Sequence, residues 1–370
     1  MKIGVLRETQ AGERRVSLTP PMVRRLTKAG HLVLVETGAG QSAGLADESY
    51  VAEGAEIVSR SGVLAADLVT VVNAPLDKSL QDTTVLGLLR PLDEPALMAS
   101  YADRQITALA FELVPRTTRA QAMDALSSQA TVSGYQAALE GAMACDRFFP
   151  MLTTAAGTIP PARALILGAG VAGLQAIATC RRLGAVVSAF DVRAAAAEQV
   201  RSLGATFVAV EMDPQDAASN GGYARQLETD AEERVLAGLA TPVAGADVVI
   251  ATAAIPGRPA PRLITAAMVE AMRPGSVIVD VAAATGGNCG LTQPGAAIDH
   301  NGVHILGFTD LSSRKPFDAS QMYARNVVAL IEILGEDGSL DLSDGILDQV
   351  TVTYRGDVRL VRIRDLVAGG

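Results

Sequence analysis

Apolar and polar positions alternate along nearly the whole chain between short strand-like runs and stretches of helical spacing. Apolar runs at residues 2–6, 31–35, 68–72, 84–88 and 106–110 predict strands. Helical spacing falls between them, near 19–29, 48–53 and 94–101. Thr19 places a capping hydroxyl before Pro20 at the first helical position, and Val23, Leu26 and Ala29 follow on one face. From Thr117 the spacing is helical to about Phe149, with a break expected near Ser133 and Gly134, and a linker follows at 157–161. A second series then begins, with strands at 164–167, 185–190, 206–210, 247–251, 276–281 and 303–307 and helices to about Arg182 and at 194–202. Residues 213–223 are polar and turn-rich, which reads as a mobile surface loop. A long helix at 318–334 is suited to carry the chain back, and 350–354 with 358–363 read as a terminal hairpin. Such alternation predicts the α/β class. Two doubly wound, Rossmann-like domains with parallel sheets and a cleft between them are expected. One takes residues 1–126 and 318–370, the other 127–317.

The stretch richest in chemistry spans residues 163–193. Its first strand runs straight into Gly168-x-Gly170-x-x-Gly173, a helix follows, and the next strand ends on Asp191. Gly168 allows the tight turn, Gly170 lets the backbone approach a pyrophosphate, and Gly173 lets helix and strand pack closely. Free N–H groups at the helix start, around Val171 and Ala172, face the phosphates together with the positive dipole end. Asp191 is placed to accept both hydroxyls of an adenosine ribose, and its charge opposes a 2′-phosphate, so NAD(H) is expected over NADP(H). Val192 and Arg193 complete that end of the cofactor-binding set.

Composition narrows the classes further. Hydrophobic residues make up 49% and charged residues 19% of 370 residues, enough apolar material for two packed domains and unlike a disordered chain. The net charge of −9 argues against nucleic acid or an anionic membrane surface as direct partners. Cys145, Cys180 and Cys289 form no CxxC and share no ligand spacing with the histidines. They fit reduced, buried thiols of a cytoplasmic protein, and no metal site is expected. Residues 1–5 read as a strand, not a signal peptide, and no segment reaches the roughly 18 uncharged apolar residues of a membrane helix.

Three further clusters stand out. If a helix starts at Thr117 or Thr118, Gln121, Asp124 and Ser128 share one face. They are then either a solvated face or a polar rim offering donors and acceptors to a carboxamide or ribose. Ala253, Ala254, Ile255 and Pro256 follow a strand, where loops of doubly wound sheets line the ligand crevice. Small side chains there let a flat nicotinamide lie against backbone, and a proline-stiffened connection is the alternative. Gly286-Gly287-Asn288-Cys289 is a similar case. Gly38-Ala39-Gly40 reads as a turn and the three histidines as structural. No Ser/His/Asp set, HExxH or phosphate-binding lysine loop occurs.

Longer motifs resemble a known family. Arg7-Glu8-Thr9 with Glu13-Arg14-Arg15-Val16-Ser17-Leu18-Thr19-Pro20 resembles the amino-terminal signature shared by alanine dehydrogenase and the NAD(H)-binding component of proton-translocating nicotinamide nucleotide transhydrogenase. The block at 115–128 looks like that component's loop at the hydride-transfer site, and Gly221-Gly222-Tyr223-Ala224 and the stretch at 255–261 are also similar. The resemblance implies that Arg116, Asp124 and Ser127 hold the nicotinamide carboxamide. Gln121 would reach towards an NADP(H) on a partner component, and Gly222 and Tyr223 would sit on a loop closing over NAD(H). It further implies a homodimer that works with an NADP(H)-binding component and membrane-spanning subunits, peripheral to the inner face of the plasma membrane. The chain's end before any hydrophobic segment resembles the split form of the enzyme. Alanine dehydrogenases carry a substrate lysine where this chain has Val71, and an aspartate where it has Ala284. Their loss favours transhydrogenation over an amino-acid dehydrogenase, and the intact 116–127 set favours it over a non-catalytic NAD-binding module.

Overall fold

The structure, a computed structural model, describes residues 1–210, 219–220, 223–224, 229–255 and 257–369. It divides into two compact units, Met1–Gln129 with Ser313–Gly370, and Ala130–Ser312. The sequence boundaries at 126/127 and 317/318 lie a few residues away. Gln129 and Ser313 belong to the first unit because they hydrogen-bond into it, Gln129 with Arg15 and Ala319, Ser313 with Glu13.

In the first unit an eight-stranded sheet runs in the order Asp357–Val358, Thr351–Tyr354, Thr107–Ala110, Thr84–Leu88, Leu68–Asn73, Lys2–Val5, Leu32–Glu36 and Glu56–Val58. The six strands from Thr107–Ala110 onward are mutually parallel. Leu68–Asn73 is covered on both faces, which explains its mainly apolar run, with Thr70 hydrogen-bonded to Ser17. Helix Pro316–Ile331 returns to this unit and buries Tyr323, Val327 and Val328 in the same core as Ile3 and Val5. At the far edge the expected terminal hairpin is shorter than 350–354 with 358–363. Arg355 and Gly356, at φ 51° and 83°, make a two-residue turn between Thr351–Tyr354 and Asp357–Val358. Beyond it the chain becomes helix Val361–Gly369, with Ile363 buried.

The second unit holds a seven-stranded sheet in the order Thr206–Phe207, Val186–Phe190, Arg163–Leu167, Val248–Ala251, Val277–Asp280, Val303–Leu306 and Ala297–His300. Of these strands only Ala297–His300 runs antiparallel. Strand order reverses between Arg163–Leu167 and Val248–Ala251, and a crevice beyond the carboxyl ends of strands forms at such a reversal. Helix Thr229–Ala244, which periodicity did not single out, precedes the second of these strands.

The long helix differs from the expected one. Residues 118–123 are a 3₁₀ helix, and the α-helix is Ala125–Ala144, unbroken at Ser133 and Gly134. Gly134 serves close packing instead: a Cβ there would lie 2.0 Å from the carbonyl oxygen of Ala172, at the start of the helix that follows the glycine loop. Nothing flexible can yield at that contact, so Gly134→Ala is expected to destabilise the second unit by about 1–3 kcal/mol. Denaturant unfolding checks this, and an unchanged midpoint would show that the two helices can separate without cost.

Candidate functional site

The glycine loop of the second unit has the geometry its sequence demands. Gly168 sits at φ 94°, and a Cβ on it would lie 2.9 Å from Thr252 Oγ1. At Gly173 a Cβ would lie 1.8 Å from the Gly168 carbonyl oxygen, so only hydrogen fits. Around Gly170 nothing lies within 4 Å of the added carbon, which leaves that face of the loop open. Val171 and Ala172 begin helix Val171–Arg182, whose N-terminal N–H groups suit an anion.

Neighbouring strand-end loops are pinned to this one. Thr252 donates its hydroxyl to the carbonyls of Leu167 and Gly168, at 3.3 and 3.0 Å. Asn288, fully buried, accepts from the Ala253 N–H at 3.1 Å and donates to the carbonyls of Ala253 and Pro261 at 2.8 and 2.7 Å. Asp280 is buried beneath Asn288, accepting from the N–H groups of Ala282 and Cys289 and from the Thr292 hydroxyl. Gly287 leaves room for that carboxylate: a Cβ would sit 2.6 Å from Asp280 Oδ2. Sequence reading missed the roles of Thr252, Asp280 and Asn288. A lone polar residue at the end of an apolar strand is the signal that marks the first two. Ala254 is exposed, and Ala253 and Ile255 are half-buried. Pro256 and Gly222 lie outside the described residues. Of residues 213–223, the described pieces form a short antiparallel pair, Ser219–Asn220 with Tyr223–Ala224.

Asp191 is not the bare carboxylate its position suggests. Oδ2 accepts from the Ala169 N–H at 2.7 Å and Oδ1 from the Arg193 N–H at 2.8 Å. The Arg193 guanidinium forks onto the same two oxygens, Nε to Oδ1 and Nη2 to Oδ2, both at 2.9 Å. Val192, between them, packs against the core of the sheet.

In the first unit, Arg116 and Gln121 are exposed. The expected shared face of Gln121, Asp124 and Ser128 does not form. Asp124, at ψ 81°, breaks the chain between the 3₁₀ and α-helices, so spacing counted across it loses its meaning. Asp124 instead accepts from the N–H and hydroxyl of Ser127, at 2.8 and 2.6 Å, and caps the α-helix. Ser128 turns its hydroxyl to Asn326 at 2.7 Å.

A buried polar cluster lies in the same unit, and sequence reading gave its members no roles. Arg15 forks onto Glu13, Nε at 2.8 Å and Nη2 at 2.6 Å, while Nη1 donates to Gln129 at 2.8 Å. Asn73 donates to both Glu13 and Glu8, at 2.9 and 3.2 Å. Glu8 also accepts from the Val72 N–H at 2.6 Å. Burial pushes Glu8 up to about 7, and the Glu13 charge adds to the rise against the opposing N–H donors. Burial works on Glu13 too, but the Arg15 fork outweighs it and holds Glu13 down to about 2. Val71 points into the core, 1% exposed, with its carbonyl accepting from the Tyr323 hydroxyl. The polar side chain at the end of that strand is Asn73. Ala284 is exposed on a 3₁₀ turn.

Residues 4–133 match the family model described as alanine dehydrogenase/PNT, N-terminal domain, and residues 137–360 match its C-terminal domain. NAD(P) transhydrogenase subunit alpha of Cereibacter sphaeroides is 43% identical, over 97% of this chain and 71% of its own. Alanine dehydrogenase of Bacillus subtilis (strain 168) is 33% identical, over 78% of this chain and 72% of its own. The crystal structure of transhydrogenase from Sinorhizobium meliloti superposes with a TM-score of 0.89 at 39% identity, covering 97% of this chain and 100% of that one.

The two buried glutamates give opposite pH dependences. Glu8, raised from 4.5 to about 7, contributes stability that is complete below 4.5 and lost as pH climbs through 7. Glu13, lowered from 4.5 to about 2, contributes stability that is complete above 4.5 and lost as pH falls through 2. The stability advantage of wild type over Glu8→Gln should therefore shrink between pH 5 and pH 8, by on the order of 1–2 kcal/mol. Urea titrations of both proteins at the two pH values measure it, and an advantage that grows with pH would contradict the assignment.

Proposed function

The chain belongs to the alanine dehydrogenase/PNT family, and on that footing we propose that it is the NAD(H)-binding subunit of a proton-translocating nicotinamide nucleotide transhydrogenase. Hydride passes between its own NAD(H) and an NADP(H) held by a partner component. The observation that carries the nucleotide assignment is the glycine loop, closed at Gly173, open at Gly170, and joined by the Ala169 N–H to a strand-end carboxylate. A dinucleotide fits that set: pyrophosphate on the open face, ribose at Asp191.

NADH, when bound, supplies the hydride. Arg116 donates to the carboxamide oxygen of the nicotinamide. The Asp124–Ser127 pair presents acceptors to its amide: the serine hydroxyl spends its proton on the carboxylate and keeps lone pairs as an acceptor. Gln121, exposed and a few residues ahead of that pair, reaches the second nucleotide. Transfer between two nicotinamides moves no proton at carbon, so the set needs a vice rather than a base. What it must supply is near-attack contact of about 3–3.5 Å between the two carbons.

An amino-acid substrate fits less well. Val71 and Ala284 carry no charge, and the Arg15 donors are engaged by Glu13 and Gln129. Homodimerisation is supported by the exposed apolar side chains of the second unit that follow one another along the chain. Tyr135, Met143, Phe148, Met151 and Ile159 are 40–83% exposed. Among the described residues no helix is long and apolar enough to cross a membrane, so contact with the bilayer would come through the partner subunits.

Purified alone, the chain should not reduce NAD with alanine. Mixed with an NADP(H)-binding transhydrogenase component, it should transfer hydride from NADH to an NADP analogue. Gln121→Asn should slow that step at least about tenfold, roughly 1.4 kcal/mol on the barrier, while NADH affinity changes far less. Alanine-dependent NAD reduction by the isolated protein would restore the amino-acid dehydrogenase. The double change Met143→Glu, Met151→Glu should shift the protein from dimer to monomer by light scattering. A dimer that persists at micromolar concentration would place the interface elsewhere.

A further inference from the structure

A carboxylate offers about four lone-pair sites, and at Asp191 four donors already claim them. Two of the donors are backbone N–H groups, of Ala169 and Arg193, and these are built into the loop and strand end. They aim the carboxylate and cannot leave without unfolding the turn. The other two are the Nε and Nη2 of the Arg193 fork, at 2.9 Å each. Arg193 keeps 21% of its side chain exposed, against 5% for Asp191, so the guanidinium is the partner nearer solvent. A ribose diol brings two O–H donors spaced like the two N–H donors of that fork. It takes its place at Asp191 only as the guanidinium gives up its own.

From this we infer that Arg193 is an internal competitor for the ribose subsite and sets the nucleotide preference of the chain. The inference rests on the reading of Asp191 as the ribose acceptor. With Arg193 on the carboxylate, the local charges cancel, and the repulsion that a lone Asp191 would exert on a 2′-phosphate is muted. A guanidinium freed from the pair is also the side chain best shaped to fork onto a phosphate. Arg193 therefore weakens NADH binding by competition and softens the exclusion of NADPH by its charge. Both effects narrow the gap between the two nucleotides.

Calorimetric titration of the full chain with NADH and with NADPH tests this in wild type, Arg193→Leu, Arg193→Lys and Asp191→Asn. Removing the guanidinium should tighten NADH severalfold and weaken NADPH, so that the ratio of their dissociation constants widens by about tenfold or more. Arg193→Lys keeps a charge but loses the fork and should fall between wild type and Arg193→Leu. It also keeps the test readable if Leu at 193 leaves the buried carboxylate too poorly paired to fold. Weaker NADH binding in both Arg193 variants would overturn the inference and make Arg193 a direct nucleotide contact. An unchanged ratio would overturn it as well. If Asp191→Asn binds NADH as wild type does, the fault lies in the ribose assignment itself and not in the competition.

Discussion

At Gly173 the helix after the glycine loop comes so close to the loop that only a hydrogen fits against the Gly168 carbonyl. The strand, the turn and the helix start are thereby locked to one another through backbone, which has no rotamers to adjust. Every other feature of the second unit's strand ends is tied to that fixed point. Thr252 bonds to the carbonyls at its base, Asn288 holds the loop bearing Thr252, and Asp280 holds the turn bearing Asn288. Gly134 adds a second backbone contact behind it, against Ala172. Because these contacts involve main chain and buried hydrogen bonds, the placement of the helix N–H groups beside the loop is fixed by the fold itself.

The first unit is organised by charge. Glu13 and Arg15 are paired out of solvent, and removing either would strand the other in a medium that tolerates lone charges poorly. Asn73 spans the two glutamates with its amide nitrogen, so one neutral side chain moderates two carboxylates whose proton affinities have been driven apart.

Much of this architecture is local information. The central strands of both sheets read as apolar runs because both faces are covered, and Gly168, Gly170 and Gly173 have conformational reasons visible in their spacing. Asn301-Gly302, both at positive φ, is a two-residue turn that joins Ala297–His300 to Val303–Leu306 and could have been read as such. The strand Glu56–Val58 offers only two apolar residues, both half-buried, too short a run to read. Other features depend on distance in sequence. Glu8 and Glu13 share one segment, but Asn73, Gln129 and Ser313 come from three others, and no spacing rule joins them. The 115–129 stretch failed differently: a helical wheel assumes one helix, and Asp124 ends one kind and starts another.

Residues 316–354 complete the first unit, burying Tyr323 and Val327 beside Ile3 and Val5 and adding a strand next to Thr107–Ala110. On a ribosome the amino-terminal strands therefore emerge long before the helix that covers them. The second unit is contiguous and can close while the first still waits with apolar surface exposed. The order of synthesis thus runs against the order of assembly, and the amino-terminal third is the segment of the nascent chain most in need of a chaperone.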